Sequence, residues 1–489
     1  MRLEFQLCPN LPRLAWAARL RSRDSVARIL HGPWVETRDH CFFEGAWDGP
    51  FDGCRFDEAL TFAGSGGRIA GDGIVFAGPT HIYDRLYSVR TNDERFVSNS
   101  LAFTLALSGE RLDPKYPHYY IDFLDYNRAG IRVKEKRLRL AGPRFVELHD
   151  CCNLAIHADL TASRIEKPLG PPPRNYDDYV SFLVGTAERV FANASDPGRQ
   201  FAYRPVTMLS QGYDTTAVSA LAAKAGCREA VTFRRSNGAS GYEDDSGRAI
   251  ASHLGLKVTE YERTDYEKLA HNRRDEFYIE PDGIDRSMLV MEDQLVGALV
   301  LSGRFGERLW NRESNWGLPV DTGNPRFEMP TGFKLGGCAL GEFRIKTGFI
   351  NFPLACSGGL HAPAIKAITD SQSMKPWSVG GGYDRPIARR IAEEAGVPRH
   401  LFGQSKKGGP RVRGAERRSW VNRAIYSIWV ASYWPPLRIL ILRVTGNRLN
   451  PAWRKGSFGV QRGVETMMQR YLSAVSAAEA CARSEVGSS

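Results

Sequence analysis

The segment best suited to chemistry is a short polar run, Ser210-Gln211-Gly212-Tyr213-Asp214-Thr215, between an apolar and an alanine-rich stretch. The apolar residues 205–209 predict a strand, and the pattern of residues 217–225 predicts a helix that ends at Gly226. A loop between a strand and a helix presents backbone N–H groups, hydroxyls and a positive helix end, which together bind phosphate. Asp214 adds a carboxylate that can hold magnesium against phosphate. The alternative interpretation is an ordinary turn with a capping aspartate.

Two later segments place charged residues beside predicted turns. Residues 298–301 predict a buried strand that runs into Ser302-Gly303, and the carboxylate of Glu307 lies just beyond. Further along, Lys406 and Lys407 lie in a polar loop after a predicted helix. Simple solvent exposure is one interpretation of these lysines.

The order of these segments resembles the asparagine synthetase family over about residues 175 to 410. The phosphate loop of that family reads Ser-Gly-Gly-x-Asp-Ser, so that Gln211 replaces the first glycine here and Thr215 the last serine. The family's Ser-Gly-x-Gly-x-Asp-Glu segment places its magnesium-binding aspartate where this chain has Glu307. A side chain at Gln211 can crowd phosphates if the site needs a close backbone approach.

The resemblance also implies roles for individual residues. Glu342-Phe343-Arg344 resembles the family's Glu-x-Arg, which opens the segment leading to the acceptor pocket, so Arg344 is an expected catalytic residue. An exposed strand with alternating charges is the alternative for this segment. Lys406 is the best match to the family's catalytic lysine, and Lys407 is the close alternative. Ten residues are expected to bind nucleotide, and the last four of them are implied by the resemblance. They are Ser210, Gln211, Gly212, Tyr213, Asp214, Thr215, Thr232, Phe233, Ser302 and Gly303.

The activity implied by the resemblance is that of an ATP-dependent carbon–nitrogen ligase. ATP and Mg²⁺ are the expected cofactors, with the metal held by Asp214 and Glu307. A small-molecule carboxylate would be adenylated with release of pyrophosphate, and an amine or ammonia would displace AMP. Two alternatives remain. A scaffold protein that binds nucleotide but has lost catalysis is favoured by Gln211, Arg304 and Glu307, and an RNA-modifying adenylating enzyme is favoured by the net charge of +11.

The pattern around the loop predicts an α/β fold with a doubly wound, mostly parallel sheet. Residues 230–233 and 256–261 predict further strands, and residues 243–255 predict a helix between them. The helix should begin at the acidic residues and end at Gly255, because glycine commonly ends helices.

The expected organisation has three parts. Residues 1–165 are β-rich and resemble a degenerate glutaminase domain. The chain begins Met1-Arg2, without the N-terminal cysteine that glutaminase chemistry requires. After a proline-rich linker, residues 175–415 form the synthetase-like ATP-binding domain, and residues 416–489 form a basic helical extension.

The composition indicates the class of protein, its partners and its cellular compartment. The hydrophobic fraction of 42% and the charged fraction of 25% are typical of soluble globular proteins. Positive charge is spread along the chain, so we do not expect nucleic acid as a partner. The nine cysteines include no Cys-x-x-Cys pair, which disfavours a disulfide framework or a zinc site and favours the cytoplasm. The apolar residues 429–442 contain two prolines, so we expect a packed C-terminal subdomain, with peripheral membrane contact as the alternative.

Overall fold

The computed structural model describes residues 1–129, 131, 133, 135–236, 243–279, 285–312, 338–405, 407 and 451–486. These residues form a mixed α/β protein with three sheets, one of which is wholly parallel. The expected α/β class is confirmed at this level. Among these residues, no helix combines the length and the apolar composition needed to cross a bilayer.

The described strands, in chain order, are β1 Arg2–Leu7, β2 Trp16–Arg21, β3 Val26–His31, β4 Glu36–Arg38, β5 Cys41–Trp47, β6 Phe62–Ala70, β7 Gly73–Ala77, β8 Leu86–Arg90, β9 Glu94–Ser98, β10 Lys136–Arg139, β11 Phe145–His149, β12 Cys152–Ile156, β13 Ala162–Glu166, β14 Arg204–Leu209, β15 Glu229–Phe233, β16 Lys257–Tyr261, β17 Ala298–Leu301 and β18 Ile350–Phe352. The described α-helices are α1 Leu101–Ser108, α2 Tyr119–Ala129, α3 Tyr176–Ala194, α4 Tyr213–Lys224, α5 Arg248–His253, α6 Glu292–Leu295, α7 Gly306–Leu309, α8 Gly341–Thr347, α9 Ala362–Asp370, α10 Pro386–Glu394 and α11 Pro451–Val486.

The first thirteen strands build two sheets that pack face to face. One sheet has the order β1-β3-β2-β9-β8-β11-β10, and the other has the order β13-β12-β7-β6-β5-β4. Strand β2 shows why they pack, because Trp16, Ala18 and Leu20 alternate along it and all point into the space between the sheets. There Trp16 stacks on Phe76 of the second sheet, with ring centroids 5.9 Å apart. The β-rich character expected for this part of the chain is confirmed.

The third sheet is parallel and has the order β16-β15-β14-β17-β18. Strands β15 and β17, which flank β14, are almost fully buried, as parallel strands covered on both sides usually are. Leu209, Leu299 and Leu301 belong to the core that helices α3, α4 and α10 share. Val206 and Val300 belong to a second core on the opposite face, which includes side chains of α8.

Several predicted elements differ from those observed. The helix expected over 243–255 covers only Arg248–His253, since residues 243–247 form a loop. Asp, Ser and Gly are poor helix formers, and the two aspartates of this loop instead accept hydrogen bonds from the segment after β14. The apolar residues 429–442 and the rest of residues 408–450 lie outside the described residues.

The segment around Arg344 is a buried helix, α8, so the exposed-strand alternative is wrong. The guanidinium of Arg344 donates two hydrogen bonds to Glu44, at 2.7 and 2.9 Å, and one to Asp84, at 3.3 Å. Both carboxylates belong to the first two-sheet part of the chain. Arg344 therefore links the two-sheet part of the chain to the parallel-sheet part. Its ion pairs with Glu44 and Asp84 account for a buried positive charge at this position.

Candidate functional site

The carboxyl ends of the parallel strands form one edge of the third sheet, and a cleft opens there. Strand β14 lies at the centre of the sheet, and β17 pairs with it directly, with Thr207 opposite Leu301. Ligands of open parallel sheets bind at this edge. The cleft has a volume of about 260 Å³. Its lining residues are Ser210, Gly212, Asp214, Thr215, Asp245, Gly303, Arg304, Glu307, Tyr383, Arg385, Ser405 and Lys407.

The loop after β14 is closed by its own hydroxyl groups. The Ser210 hydroxyl lies 2.9 Å from the Thr215 hydroxyl and accepts a hydrogen bond from the Gly212 N–H at 3.2 Å. The Thr216 hydroxyl donates to the Gly212 carbonyl at 2.8 Å. Gly212 is the N-cap of α4 and supplies no side-chain capping hydrogen bond. An anion at this end of the helix suits the helix dipole.

Two glycines allow the turn after β17 to lie directly against the start of α4. A β carbon at Gly303 would lie 2.5 Å from the Thr215 nitrogen and 2.6 Å from the Asp214 carbonyl carbon. One at Gly306 would lie 2.9 Å from the Asp214 β carbon. Neither position tolerates a larger residue without movement. This close approach brings Glu307, next to Gly306 at the start of α7, to the same cleft as Asp214.

Arg385 is the residue that contacts Asp214 most closely. Its guanidinium forms an ion pair with the Asp214 carboxylate, and its side chain is 3% exposed. Burial opposes the charge of Arg385, but the carboxylate more than offsets burial, so the pKa of Arg385 is raised. Asp384 fixes the turn before it by accepting hydrogen bonds from the N–H groups of Val379 and Gly380. The acid of the loop is thus held by a buried cation from α10's N-terminal end.

Two further cations line the cleft, and their partners differ. Arg304 donates to the buried carboxylate of Asp285 at 2.9 Å, so its charge is compensated in contact. The Lys407 ammonium donates to two neutral oxygens, the Gln211 side-chain carbonyl at 2.5 Å and the Asp244 main-chain carbonyl at 2.6 Å. Neutral partners leave the positive charge of Lys407 available to an anion in the cleft.

The side chain of Gln211, the residue that could crowd phosphates, does not line the cleft. Its amide nitrogen donates to Asp244 at 2.7 Å and to the Ser246 carbonyl at 3.3 Å. Its backbone N–H donates to Asp245 at 3.2 Å, and burial raises the pKa of that aspartate. Gln211 does not crowd the loop. It fastens the loop to the segment after β15 and positions Lys407.

Gly403, which precedes Lys407 by four residues, packs directly against the loop after β14. The Gly403 N–H donates to the Gln211 carbonyl at 2.8 Å. A β carbon at Gly403 would lie 2.2 Å from the Tyr213 ring, and its φ of +65° also favours glycine. Tyr213 is fully buried, with its ring 4.8 Å from that of Tyr383 and 5.9 Å from that of Phe402. Tyr213, expected to bind nucleotide, therefore serves this packing through its side chain and does not line the cleft.

Thr232 and Phe233, also expected to bind nucleotide, lie at the neighbouring strand end. Thr232 is opposite Leu209, and its hydroxyl accepts a hydrogen bond from the Gly247 N–H at 2.9 Å. The Phe233 ring is 7% exposed and has the guanidinium of Arg263 3.9 Å from its centroid. Both side chains are engaged within the protein and do not line the cleft.

The cleft offers oxygen donors of the kind that magnesium takes. Asp214 and Glu307 carry carboxylate oxygens, the ligands that magnesium prefers, although Arg385 already forms an ion pair with Asp214. The nearby Ser302 hydroxyl is buried and has no hydrogen-bond partner among the described residues, although buried hydroxyls are normally bonded.

The structure thus gathers part of the predicted set and adds to it. It brings together at the cleft Ser210, Gly212, Asp214, Thr215, Gly303, Glu307 and Lys407. Lys406 lies outside the described residues, and Arg344 makes no contact with the cleft. The sequence analysis missed Arg385, Asp245, Tyr383 and Ser405. The only local signal was Asp384-Arg385 just ahead of the helix-starting Pro386, and it does not reveal the ion pair with Asp214.

Comparisons with known proteins leave the site to be judged on this geometry. No protein-family model matches the chain, and no curated protein shows significant similarity to it.

Proposed function

We propose that this protein is an asparagine-synthetase-like, AMP-forming ligase, which adenylates a small carboxylate with ATP and transfers it to an amine or ammonia. The observation that carries the proposal is the cleft at the end of β14. There the start of α4, with Asp214 in its first turn, lines the cleft together with the carboxylate of Glu307 and the cation of Lys407. The N–H groups at a helix start and a nearby cation favour the negative charge of a triphosphate.

The fold supports the same proposal. The parallel order β16-β15-β14-β17-β18 and the two apolar cores that cover this sheet support a doubly wound sheet with a pyrophosphatase-type loop. We propose that residues 175–415 form the ATP-binding domain and that residues 1–165 form a separate β-rich domain. Residues 167–175, which contain no helix or strand, join the two.

Several side chains of the cleft have a part in the proposed chemistry. The hydroxyls of Ser210 and Thr215 and the loop N–H groups hold the phosphates. Asp214 and Glu307 would hold Mg²⁺, which, when bound, neutralises phosphate charge. Arg385, which also lines the cleft, would bind pyrophosphate if its ion pair with Asp214 is released.

Lys407 is the proposed catalytic lysine, since it lines the cleft and its ammonium donates hydrogen bonds to two neutral oxygens. Negative charge grows on the phosphate as the substrate carboxylate attacks it, and again on the acyl group as the amine attacks. A preorganised ammonium stabilises both transition states more than the bound substrates. Gln211 positions this lysine by accepting a hydrogen bond from it.

A nucleotide-binding scaffold without catalysis is the second candidate. The ion pair between Asp214 and Arg385 favours it, because a buried cation already occupies the carboxylate that magnesium needs. The two candidates share ATP binding and differ only in turnover.

The test measures ATP binding and ATP consumption separately. Calorimetry with Mg²⁺ should show ATP binding that Asp214→Asn weakens at least about tenfold, the effect of losing one charge-assisted contact. Asp177→Asn is the matched control, since Asp177 also lies in a first helical turn but is exposed on α3. A panel of carboxylic acids with an amine should then yield AMP and pyrophosphate in equal amounts.

The outcomes separate the candidates. Binding without pyrophosphate release for any acid of the panel would favour the scaffold. Pyrophosphate release that requires RNA would favour an RNA-modifying enzyme. Equal ATP affinity in Asp214→Asn and parent protein would refute the assignment of the cleft.

A further inference from the structure

A second set of potential ligand atoms lies far from the cleft, in the first two-sheet part of the chain. Strands β4 and β5 form a hairpin in which Arg38 pairs with Cys41, so Asp39 and His40 form the turn between them. Cys54 lies in the loop between β5 and β6. One ring nitrogen of His40 and the sulfur atoms of Cys41 and Cys54 all lie within 4.8 Å of one another. Three ligand-type atoms from two separate segments thus converge on one point.

This cluster has a buried side and an exposed side. Cys41 and Cys54 are fully buried in a core of aromatic rings. The aromatic members of that core are Phe43, Trp47, Phe51, Phe56 and Phe62. His40 is exposed, so an ion from solvent reaches the cluster from the side of the imidazole. An ion can therefore enter from the exposed side of His40, whereas the aromatic core excludes water on the opposite side.

The nearby charges are compatible with a cation. Arg68 lies opposite Cys41 in the sheet, but its guanidinium is paired with Asp57 at 2.6 Å and with Glu58 at 3.1 Å. Arg38 lies over the Phe51 ring, with its guanidinium carbon 4.9 Å from the ring centroid. Two thiolates would balance a divalent cation, so the filled cluster carries no net charge into the aromatic core.

We propose that His40, Cys41 and Cys54 form a zinc-binding site. Zinc favours sulfur and imidazole ligands, and its Zn–S bonds of about 2.3 Å and Zn–N bonds of about 2.0–2.1 Å define the spacing of tetrahedral ligands. That spacing is about 3.8 Å between two sulfurs and about 3.6 Å between sulfur and nitrogen, both within the observed 4.8 Å limit. The fourth position faces solvent beside His40 and takes water. Zinc here clips the hairpin turn to the loop that follows β5.

The experiment uses the full-length protein, reduced and freed of metal by a chelator. Titration with Zn²⁺ against a chromophoric chelator should show one tight site. Co²⁺ in its place should give the near-ultraviolet absorption that thiolate ligands produce. His40→Ala changes an exposed residue and leaves the core intact. It should weaken Zn²⁺ binding at least tenfold, since even residues behind metal ligands contribute about 10- to 100-fold.

The cysteine variants and controls complete the test. Cys54→Ala should abolish the thiolate absorption of the Co²⁺ form, whereas Cys481→Ala and His157→Ala, at exposed positions elsewhere, should leave binding unchanged. Unaltered Zn²⁺ affinity in His40→Ala would overturn the proposal even if the cysteine variants fail to fold. Absence of stoichiometric Zn²⁺ binding, with a Cys41–Cys54 disulfide found by mass spectrometry before reduction, would also overturn it and assign the pair to redox chemistry.

Discussion

The close approach of two backbone segments at the cleft gives the sharpest prediction, and Gly303→Ala is the change that tests it. The added β carbon would start 2.5 Å from the Thr215 nitrogen, whereas ordinary contact begins at 3.4 Å. The turn after β17 and the start of α4 must therefore separate by about 0.9 Å, because the obstructing atoms are backbone. Such a shift lengthens ligand hydrogen bonds on one side of the cleft beyond their normal range.

The expected consequences follow from that displacement. Overpacking should lower the free energy of unfolding by about 1–3 kcal/mol, measured by urea denaturation. Loss of one charge-assisted hydrogen bond, worth about 1.5–3 kcal/mol, should weaken Mg²⁺-dependent ATP binding at least tenfold in calorimetry. A misplacement of about 1 Å between reacting groups should slow ATP–pyrophosphate exchange about 100-fold.

Gly341→Ala is the matched control. A β carbon at Gly341 meets nothing within 4 Å, and this residue begins helix α8, where alanine is the better helix former. This control should bind ATP as the parent does and unfold at an equal or higher urea concentration. A folded Gly303→Ala protein with the parent's ATP affinity and exchange rate would refute the placement of the nucleotide between β17 and α4.

Three further predictions concern other parts of the molecule. Lys407→Met should lower the rate of pyrophosphate exchange about 100-fold with little change in ATP affinity, and a larger loss in Lys406→Met would transfer the role to that residue. Arg344→Met should lower the free energy of unfolding in urea by about 3–5 kcal/mol because it strands buried carboxylates, whereas Arg21→Met, at an exposed ion pair, should cost less than about 1 kcal/mol. Burial lowers the pKa of His81 to about 4, so folding keeps it neutral. The stability that depends on the neutral imidazole is fully present above pH 6.5, and the free energy of unfolding should fall by up to about 3 kcal/mol as the pH falls from 6.5 towards 4. In His81→Gln, the urea concentration at the unfolding midpoint should therefore depend less on pH across that range.

The local elements around the cleft could be predicted because their signals are local. The strand β14, the turn after it and helix α4 follow from an apolar run, a polar run and an alanine-rich run within a few residues. Strands β15 and β17 were predicted in the same way. The helix expected at 243–255 was too long, because hydrogen bonds to Gln211, distant in sequence, decide the path of Asp244 and Asp245.

The partners of charged side chains could not be predicted, because they come from distant parts of the chain. Arg385 and Asp214 are 171 residues apart, and Arg344 and Glu44 are 300 residues apart. A charge in the sequence is equally compatible with catalysis, solvent exposure or a buried ion pair. Only burial and distance distinguish these cases, since the same charge is worth little in water and much in a dry interior.

The sequence by itself determined the segments that could bind an anion, because loop composition and helix starts depend on neighbouring residues. It also disfavoured a zinc site, since it offered no Cys-x-x-Cys pair. The tertiary structure decided which side chains meet: it placed Lys407 on Gln211, closed Arg385 onto Asp214 and brought Cys54 to His40 and Cys41. Such contacts form when sheets pack and strand ends align. The folding of the whole chain sets that geometry, and no short stretch of residues encodes it.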